Sequence, residues 1–174
     1  MPLAIEVDGL DRVLEKLQPS LVAEPLRGFL SRAAITVQTR ARAAAPVDTG
    51  HLRNAIMYQV DEAAMPGFAM VGFLDAGAGS PLWFKARAME FGTGSQGDGD
   101  VSHAGSHWPP GEALDVWARR HGMASGWAVA AGIGRRGGLR PRRFLRSAIE
   151  QSLADIRGML EQMRAEIAAR WGGG

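Results

Sequence analysis

The chain has 174 residues, with 20 Lys and Arg against 18 Asp and Glu for a formal net charge of +2, and its length is that of one ordinary domain. Much of the 46% apolar content is Ala, but the larger apolar residues, roughly 30% of the chain, suffice for a modest core and exclude wholesale disorder. The absence of Cys excludes disulfide scaffolds, Cys-ligated zinc, iron–sulfur clusters and thiol nucleophiles, while the lack of a leader pattern or of any run near ~18 apolar residues predicts a soluble protein, neither classically secreted nor membrane-bound.

Leu10, Val13, Leu14 and Leu17 fall at i, i+3, i+4 and i+7, which predicts a short first helix over residues 9–18, stopped by Pro19. Pro25 suits the first turn of a second helix, where its missing N–H costs nothing. That helix runs to about Ala44, and its apolar face thins from Leu26, Phe29 and Leu30 to Ala34, Ala41 and Ala44, so a neighbouring backbone can approach closely. Pro46 ends it. Asp48-Thr49-Gly50 then reads as a turn whose side-chain oxygens cap the short turn His51 to Asn54. Residues 55–61 and 67–74 are rich in β-formers and, separated by Glu62 to Pro66, predict a hairpin. A third run, Trp83 to Phe91, follows the turn Asp75 to Pro81 and predicts a third strand.

Residues 92–107 include Gly92, Gly94, Gly97, Gly99 and Gly105 without apolar periodicity, which predicts a flexible Gly-rich loop. Residues 108–138 follow as a helical insertion, with short helices at 111–121 and 124–134. Leu145, Ile149, Ile156, Leu160, Met163, Ile167 and Trp171 then define the longest helix, ~27 residues and ~40 Å. Such a rod outreaches a small domain, so part of its apolar stripe is expected to meet another subunit. The whole, 1–174, reads as a single α+β domain: a small antiparallel β-sheet packed against a long N-terminal helix and a long C-terminal helix, with a helical insertion.

Motifs with chemical potential have plain competitors. Asp48-Thr49-Gly50 is the tripeptide of aspartic proteases, which need two carboxylates sharing a proton; here it follows an Ala-rich helix and Pro46 rather than an apolar strand, which favours a capped turn. Gly92-Gly94-Gly97 and Gly132-Gly134-Gly137 match G-x-G-x-x-G, but neither opens a helix directly after a strand, as a dinucleotide site requires. Asp98, Asp100, His103 and His107 could be drawn around a metal ion, yet a flexible loop provides no rigid outer shell. No catalytic constellation, metal site or cofactor site emerges. Between Val116 and Ile149 stand Arg119, Arg120, Arg135, Arg136, Arg140, Arg142, Arg143 and Arg146, without one Asp or Glu. Such a field fits nucleic-acid phosphates or an acidic protein partner, with a merely solvated Arg run as the bland alternative. The segment has neither the recognition helix nor the stacking platform of sequence-reading domains, which favours the acidic protein over DNA.

Three blocks, Ala44-Ala45-Pro46-Val47-Asp48-Thr49-Gly50-His51-Leu52-Arg53-Asn54-Ala55-Ile56, Met89-Glu90-Phe91-Gly92-Thr93 and Pro141-Arg142-Arg143-Phe144-Leu145-Arg146-Ser147-Ala148, resemble in order and spacing those of the tail-completion and head-tail joining proteins of long-tailed bacteriophages. The stretch from Trp108-Pro109-Pro110 to Arg120 is similar to the insertion of the lambda Z-type minor tail members, and the resemblance covers roughly residues 8–170. Arg143 departs from it, standing where Pro is usual before the Phe. The resemblance implies a structural virion protein, not an enzyme, with no cofactor. It implies a ring, a hexamer on a sixfold tail, made in the bacterial host cytoplasm and placed at the tail or neck. Expected neighbours are tail-tube or tail-terminator and head-tail connector proteins, with DNA in the channel. It also casts Pro46, Asp48, Thr49, Gly50, Leu52 and Arg53 as the helix-to-strand turn, Glu90, Gly92 and Thr93 as the end of the third strand, and Phe144 and Leu145 as anchors of the final helix. The alternatives are a basic nucleic-acid-binding protein and, more remotely, an aspartic protease acting through Asp48.

Overall fold

A computed structural model describes residues 19–61, 67–98 and 105–172; the helix expected over 9–18 and the hairpin turn 62–66 lie outside the described residues. In chain order come α1 (Pro19–Ala44), α2 (His51–Asn54), β1 (Met57–Asp61), β2 (Phe68–Gly72), α3 (Pro81–Phe91), a short 3-10 turn (Gly94–Gln96), α4 (Gly111–Arg120), α5 (Gly126–Arg135) and α6 (Phe144–Gly172). The fold is α+β, with the two long helices packed together beside a two-stranded antiparallel sheet.

α1 and α6 run antiparallel. Near one end Arg40 donates to the Gln151 carbonyl at 2.8 Å and pairs with Asp155 at 2.5 Å, and near the other Arg170 pairs with Glu24 at 2.8 Å. Their shared surface is built of small buried residues, Ala34 and Ala41 on α1 and Ala148 and Ser152 on α6, as the thinning apolar face predicts. The Ser152 hydroxyl, fully buried, donates to the Ala148 carbonyl of its own helix at 2.6 Å, so it brings no orphaned polar atom into the contact. The core gathers where this pair meets the sheet: Val37, Ala41, Ala45, Ile56, Phe144 and Ala148, with Val71, Phe73, Met89, Leu145 and Ile156 packed around them. Phe144 is the largest fully buried side chain and meets Phe73 edge to face, centroids 6.2 Å apart; its burial contributes about 2–3 kcal/mol.

The hairpin pairs Tyr58 with Val71 and Val60 with Ala69 on one face, and Met57 with Gly72 and Gln59 with Met70 on the other. Val71 reaches the core from one face, while Met57, Phe68 and Met70 on the other face are exposed, as is Tyr58 opposite Val71. Its first strand is tied to α1 through one carbonyl: Ile56 O accepts from Gln38 Nε2 at 2.9 Å and from Arg42 Nε and Nη2 at 3.0 and 2.7 Å.

Two expectations are corrected. The third strand does not exist, because Trp83 to Phe91 lies within α3. The Ser80 hydroxyl accepts from the Trp83 amide at 3.2 Å and Pro81 takes the first turn, a strong helix start. Lys85, Ala86, Arg87, Ala88, Met89 and Glu90 are good helix formers, and the aromatic residues that suggested a strand decorate the helix, with the Arg87 guanidinium 5.2 Å over the Trp83 ring. The second correction concerns Pro25, which lies inside α1; Pro19 holds the first-turn place instead, and the helix runs on without the hydrogen bond that Pro25 cannot donate to Leu21.

The insertion carries its two expected helices. Ser125 caps α5 by accepting from the Ala128 amide at 3.2 Å, and the Asp115 carboxylate on α4 accepts from the Gly126 amide at 2.7 Å, so α4 is fastened to the beginning of α5.

Candidate functional site

The three sequence blocks take part in three joints, two near the start of α6 and one at the far end of α4. The first is the cap of α6 itself. The opening amides of a helix have no partner within it, and Arg143, immediately before Phe144, has a side chain with donors only. Glu90 supplies the missing acceptors from α3: its carboxylate accepts from the Leu145 amide at 2.8 Å and the Arg146 amide at 3.0 Å. Glu90 is only 5% exposed, and a buried carboxylate is stabilised there by two charge-assisted hydrogen bonds and the positive end of a long helix. The backbone reinforces the joint, with the Arg142 and Arg143 amides donating to the Met89 and Glu90 carbonyls at 2.7 and 3.2 Å.

The second joint is a glycine cinch that closes the base of the insertion. The Thr93 amide donates to the Leu139 carbonyl at 2.9 Å, the Leu139 amide to Thr93 Oγ1 at 3.0 Å, and the Ser95 amide to the Gly137 carbonyl at 3.0 Å. A Cβ at Gly94 would collide with the Gly137 carbonyl, and one at Gly138 with the Thr93 carbonyl; both residues also have positive φ, at 61° and 134°. Gly92 faces the Leu139 carbonyl in the same way. The two G-x-G-x-x-G stretches therefore serve each other: Gly92 and Gly94 from the first pack against Gly137 and its neighbours at the end of the second. The segment read as a flexible loop is accordingly fastened over its first residues, 92–98.

Arg143 and Asp98 lock the same region. Arg143 Nε and Nη2 donate to the two Asp98 oxygens at 2.7 and 2.8 Å, a bidentate fork. This hydrogen bond is the main cause of an Asp98 carboxyl held below the usual aspartate value, and it raises Arg143 in turn. Arg143 has φ 51°, a conformation closed to proline, whose ring holds φ near −65°. With Arg at this position, where the pattern that the blocks resemble has Pro, the chain turns through the left-handed region and donates its amide to the Glu90 carbonyl. Asp98 is engaged with Arg143, Asp100 and His103 lie outside the described residues, and among the described residues no three His, Asp or Glu side chains, His107 included, are gathered as metal ligands.

The third joint is a clasp between the Asp48 turn and the insertion. Asp48 does not cap α2; the amide of His51 is 3.4 Å from Thr49 Oγ1, and Gly50, with φ 79°, holds the position before the helix. The Asp48 carboxylate instead pairs with Arg120 at 2.9 Å and lies 4.0 Å from His121 Nε2. His121 stacks on Trp117 at 4.1 Å, and its Nδ1 lies 2.9 Å from the Trp117 carbonyl. Leu52 is buried, Pro46 is half-buried and Arg53 is exposed.

The eight arginines between Val116 and Ile149 are all exposed. The structure takes Arg120 and Arg143 out of the free field by pairing them with Asp48 and Asp98. Arg119, Arg135, Arg136, Arg140, Arg142 and Arg146 keep their side chains at the surface. Sequence reasoning passed over Gly137, Gly138 and Leu139 as half of a joint, and also the exposed Trp108 and Trp127; the Gly-Gly pair after α5 was the available signal for the cinch. Compared with known proteins, the chain matches no family model, no curated protein and no solved structure.

Proposed function

We propose that the chain is a structural virion protein that completes the tail or joins head to tail at the neck, assembling as a ring, a hexamer on a sixfold tail. The observation that carries this reading is the convergence of the three family-like blocks on one scaffold, in which Asp48, Glu90 and Thr93 are engaged in holding elements together. The Asp48 carboxylate sits among basic partners, the reverse of the proton-sharing pair a protease needs. The flank of α6 supports assembly: Ile149 is 50% exposed and Leu153 44%, with Leu160 and Trp171 continuing the row. On this reading α6 meets sister copies. The arginine-bearing insertion faces tail-tube, tail-terminator or connector proteins, and the ring encloses the DNA channel.

Light scattering of the purified chain and labelling of virions in electron micrographs test the reading together. A ring-sized mass and a label at the head-proximal end of the tail are expected. A monomer at every concentration, with no copy in particles or tail precursors, ends it.

A further inference from the structure

Between α5 and α6 the chain presents a surface of one residue type. From residue 135 to residue 147 every exposed residue is an arginine, namely Arg135, Arg136, Arg140, Arg142, Arg143 and Arg146, while Leu139, Pro141, Phe144 and Leu145 are buried or half-buried. The backbone beneath them is fixed. It runs beside the end of α3 and the turn that follows, with the Ser95 amide donating to the Gly137 carbonyl, the Thr93 amide to the Leu139 carbonyl, and the Arg142 and Arg143 amides to the Met89 and Glu90 carbonyls. A Cβ on Gly92 would lie 3.0 Å from the Pro141 ring, so Pro141 turns toward the body and the arginines on either side of it stay in water. The neighbouring carboxylates are already engaged. Glu90 is buried on two amides of α6, and Asp98 is held in the Arg143 fork and feels the Arg146 charge as well. Arg136, Arg140, Arg142 and Arg146 have no acidic partner among the described residues.

We propose that this arginine turn binds the phosphate backbone of duplex DNA without reading its sequence. A stretch of arginines alone fits phosphates or an acidic protein, and the exposure pattern separates the two. A protein partner is held through apolar and aromatic anchors at the centre of the contact, and between residues 135 and 147 none is exposed. Phosphates need only cations, and the guanidinium fork matches them. Because the backbone of the turn is already pinned, little chain entropy is lost on binding. With no recognition helix at the turn, the contact is to phosphates and not to base edges. One exposed indole stands beside it, Trp108, whose ring is seated on Gly134; Trp127, seated on Gly111, has Glu112 and Asp115 close by on α4. A single indole is no stacking platform for a run of unpaired bases, which selects the duplex over a single strand.

Duplex binding by this turn goes beyond the assembly reading above and does not rest on it. The test uses the full chain with short fluorescein-labelled duplexes of two unrelated sequences, labelled oligo-dT and a labelled oligoglutamate. Anisotropy in rising salt should show equal affinity for the two duplexes, with log K falling linearly with log salt at a slope of about −3 to −4 for four phosphate contacts. Arg140→Gln and Arg142→Gln should each reduce that slope by about 0.9, and together they should weaken binding at low salt at least roughly tenfold. Lys at both positions, which keeps the charges, should bind within a few-fold of the parent, and Arg53→Gln, an exposed arginine of α2 outside the turn, should leave the slope unchanged. No binding of duplex at low salt, a strong preference for one duplex, oligo-dT or oligoglutamate bound as tightly as duplex, or a double Gln variant with the parent's slope overturns the proposal. Sedimentation without DNA reports the ring separately: a ring that ignores duplex removes only DNA binding, and a monomer that binds it removes only the ring.

Discussion

The Asp48 carboxylate meets the Arg120 guanidinium at 2.9 Å, and through this contact the turn after α1 holds the far end of α4. The glycine cinch grips the insertion at its base and the Asp48 clasp grips it beyond, so two independent attachments orient α4 and α5 relative to the two long helices.

Removal of the clasp should loosen the insertion and leave the body intact. The pair is partly open to solvent, so Asp48→Ala should cost about 1 kcal/mol or less in global stability. Trypsin should cut Asp48→Ala faster at Arg119, Arg120, Arg135 or Arg136 than the parent. Arg120→Ala should behave alike, and the double variant should show less than the sum of the two effects. Equal cleavage of parent and variants would show that the pair orients nothing.

Glu90 carries a larger load. Glu90→Ala leaves the Leu145 and Arg146 amides without acceptors in a half-buried joint, at a cost of about 2–4 kcal/mol in urea unfolding. Glu90→Gln should cost less, since its amide keeps one acceptor oxygen, but it turns a donor toward the second N–H. The order Ala worse than Gln worse than Glu is the checkable result.

Two glycines separate close approach from open space. Gly138→Ala must fit a Cβ against the Thr93 carbonyl at φ 134° and should destabilise by about 3 kcal/mol or more. Gly158→Ala, on α6 with nothing within 4 Å of the added carbon, should stabilise by about 1 kcal/mol, because Gly is the poorer helix former. Thermal unfolding of the two variants should move in opposite directions.

Periodicity and turn chemistry made most of the elements legible. The apolar repeat from Leu145 to Trp171 marked α6, the β-rich runs around Tyr58 and Val71 marked the hairpin, and Pro109-Pro110 marked the approach to the insertion helices. Over Trp83 to Phe91 the aromatic content points to a strand, but the Ser80-Pro81 start, whose cap is a local and readable signal, prevails and makes the segment helical. The joints were less accessible for a different reason. The acceptors that Leu145 needs come from Glu90 on another helix, the partner of Asp48 is Arg120, and the seats of the tryptophans are glycines elsewhere in the insertion; no local pattern encodes which distant residue will fill such a need. Gly92 and Thr93 were recognised as a block, but their task, packing against Gly138 and Leu139, exists only once both ends of the insertion are in place.

Acid should release the Asp98 lock before it unfolds the core. The Arg143 hydrogen bond holds the Asp98 carboxyl below its ordinary value. The folded value thus lies below the unfolded one, so the contribution is complete above the ordinary aspartate range and is lost as pH falls through the lowered value. Arg143 stays charged throughout. At neutral pH, Asp98→Asn should exchange the Thr93 and Ser95 amide hydrogens faster than the parent, and the difference should vanish in strongly acidic buffer. A difference that persists unchanged into acid would show that the carboxylate charge is not what holds the segment.

The flank of α6 offers the sharpest test of assembly. Leu153 and Ile149 are about half exposed, and Ile149 borders a hollow of about 520 Å³ lined also by Phe91 and Leu145. In the single chain Leu153→Glu places its charge in water and should change stability by no more than about 0.5 kcal/mol. In a ring that buries this flank the same carboxylate would be desolvated without a partner, at a cost of several kcal/mol per interface. Sedimentation velocity should therefore show the parent as a discrete oligomer and Leu153→Glu as a monomer with an unchanged circular dichroism spectrum. A variant that assembles as well as the parent would place the contact between sister copies on another face.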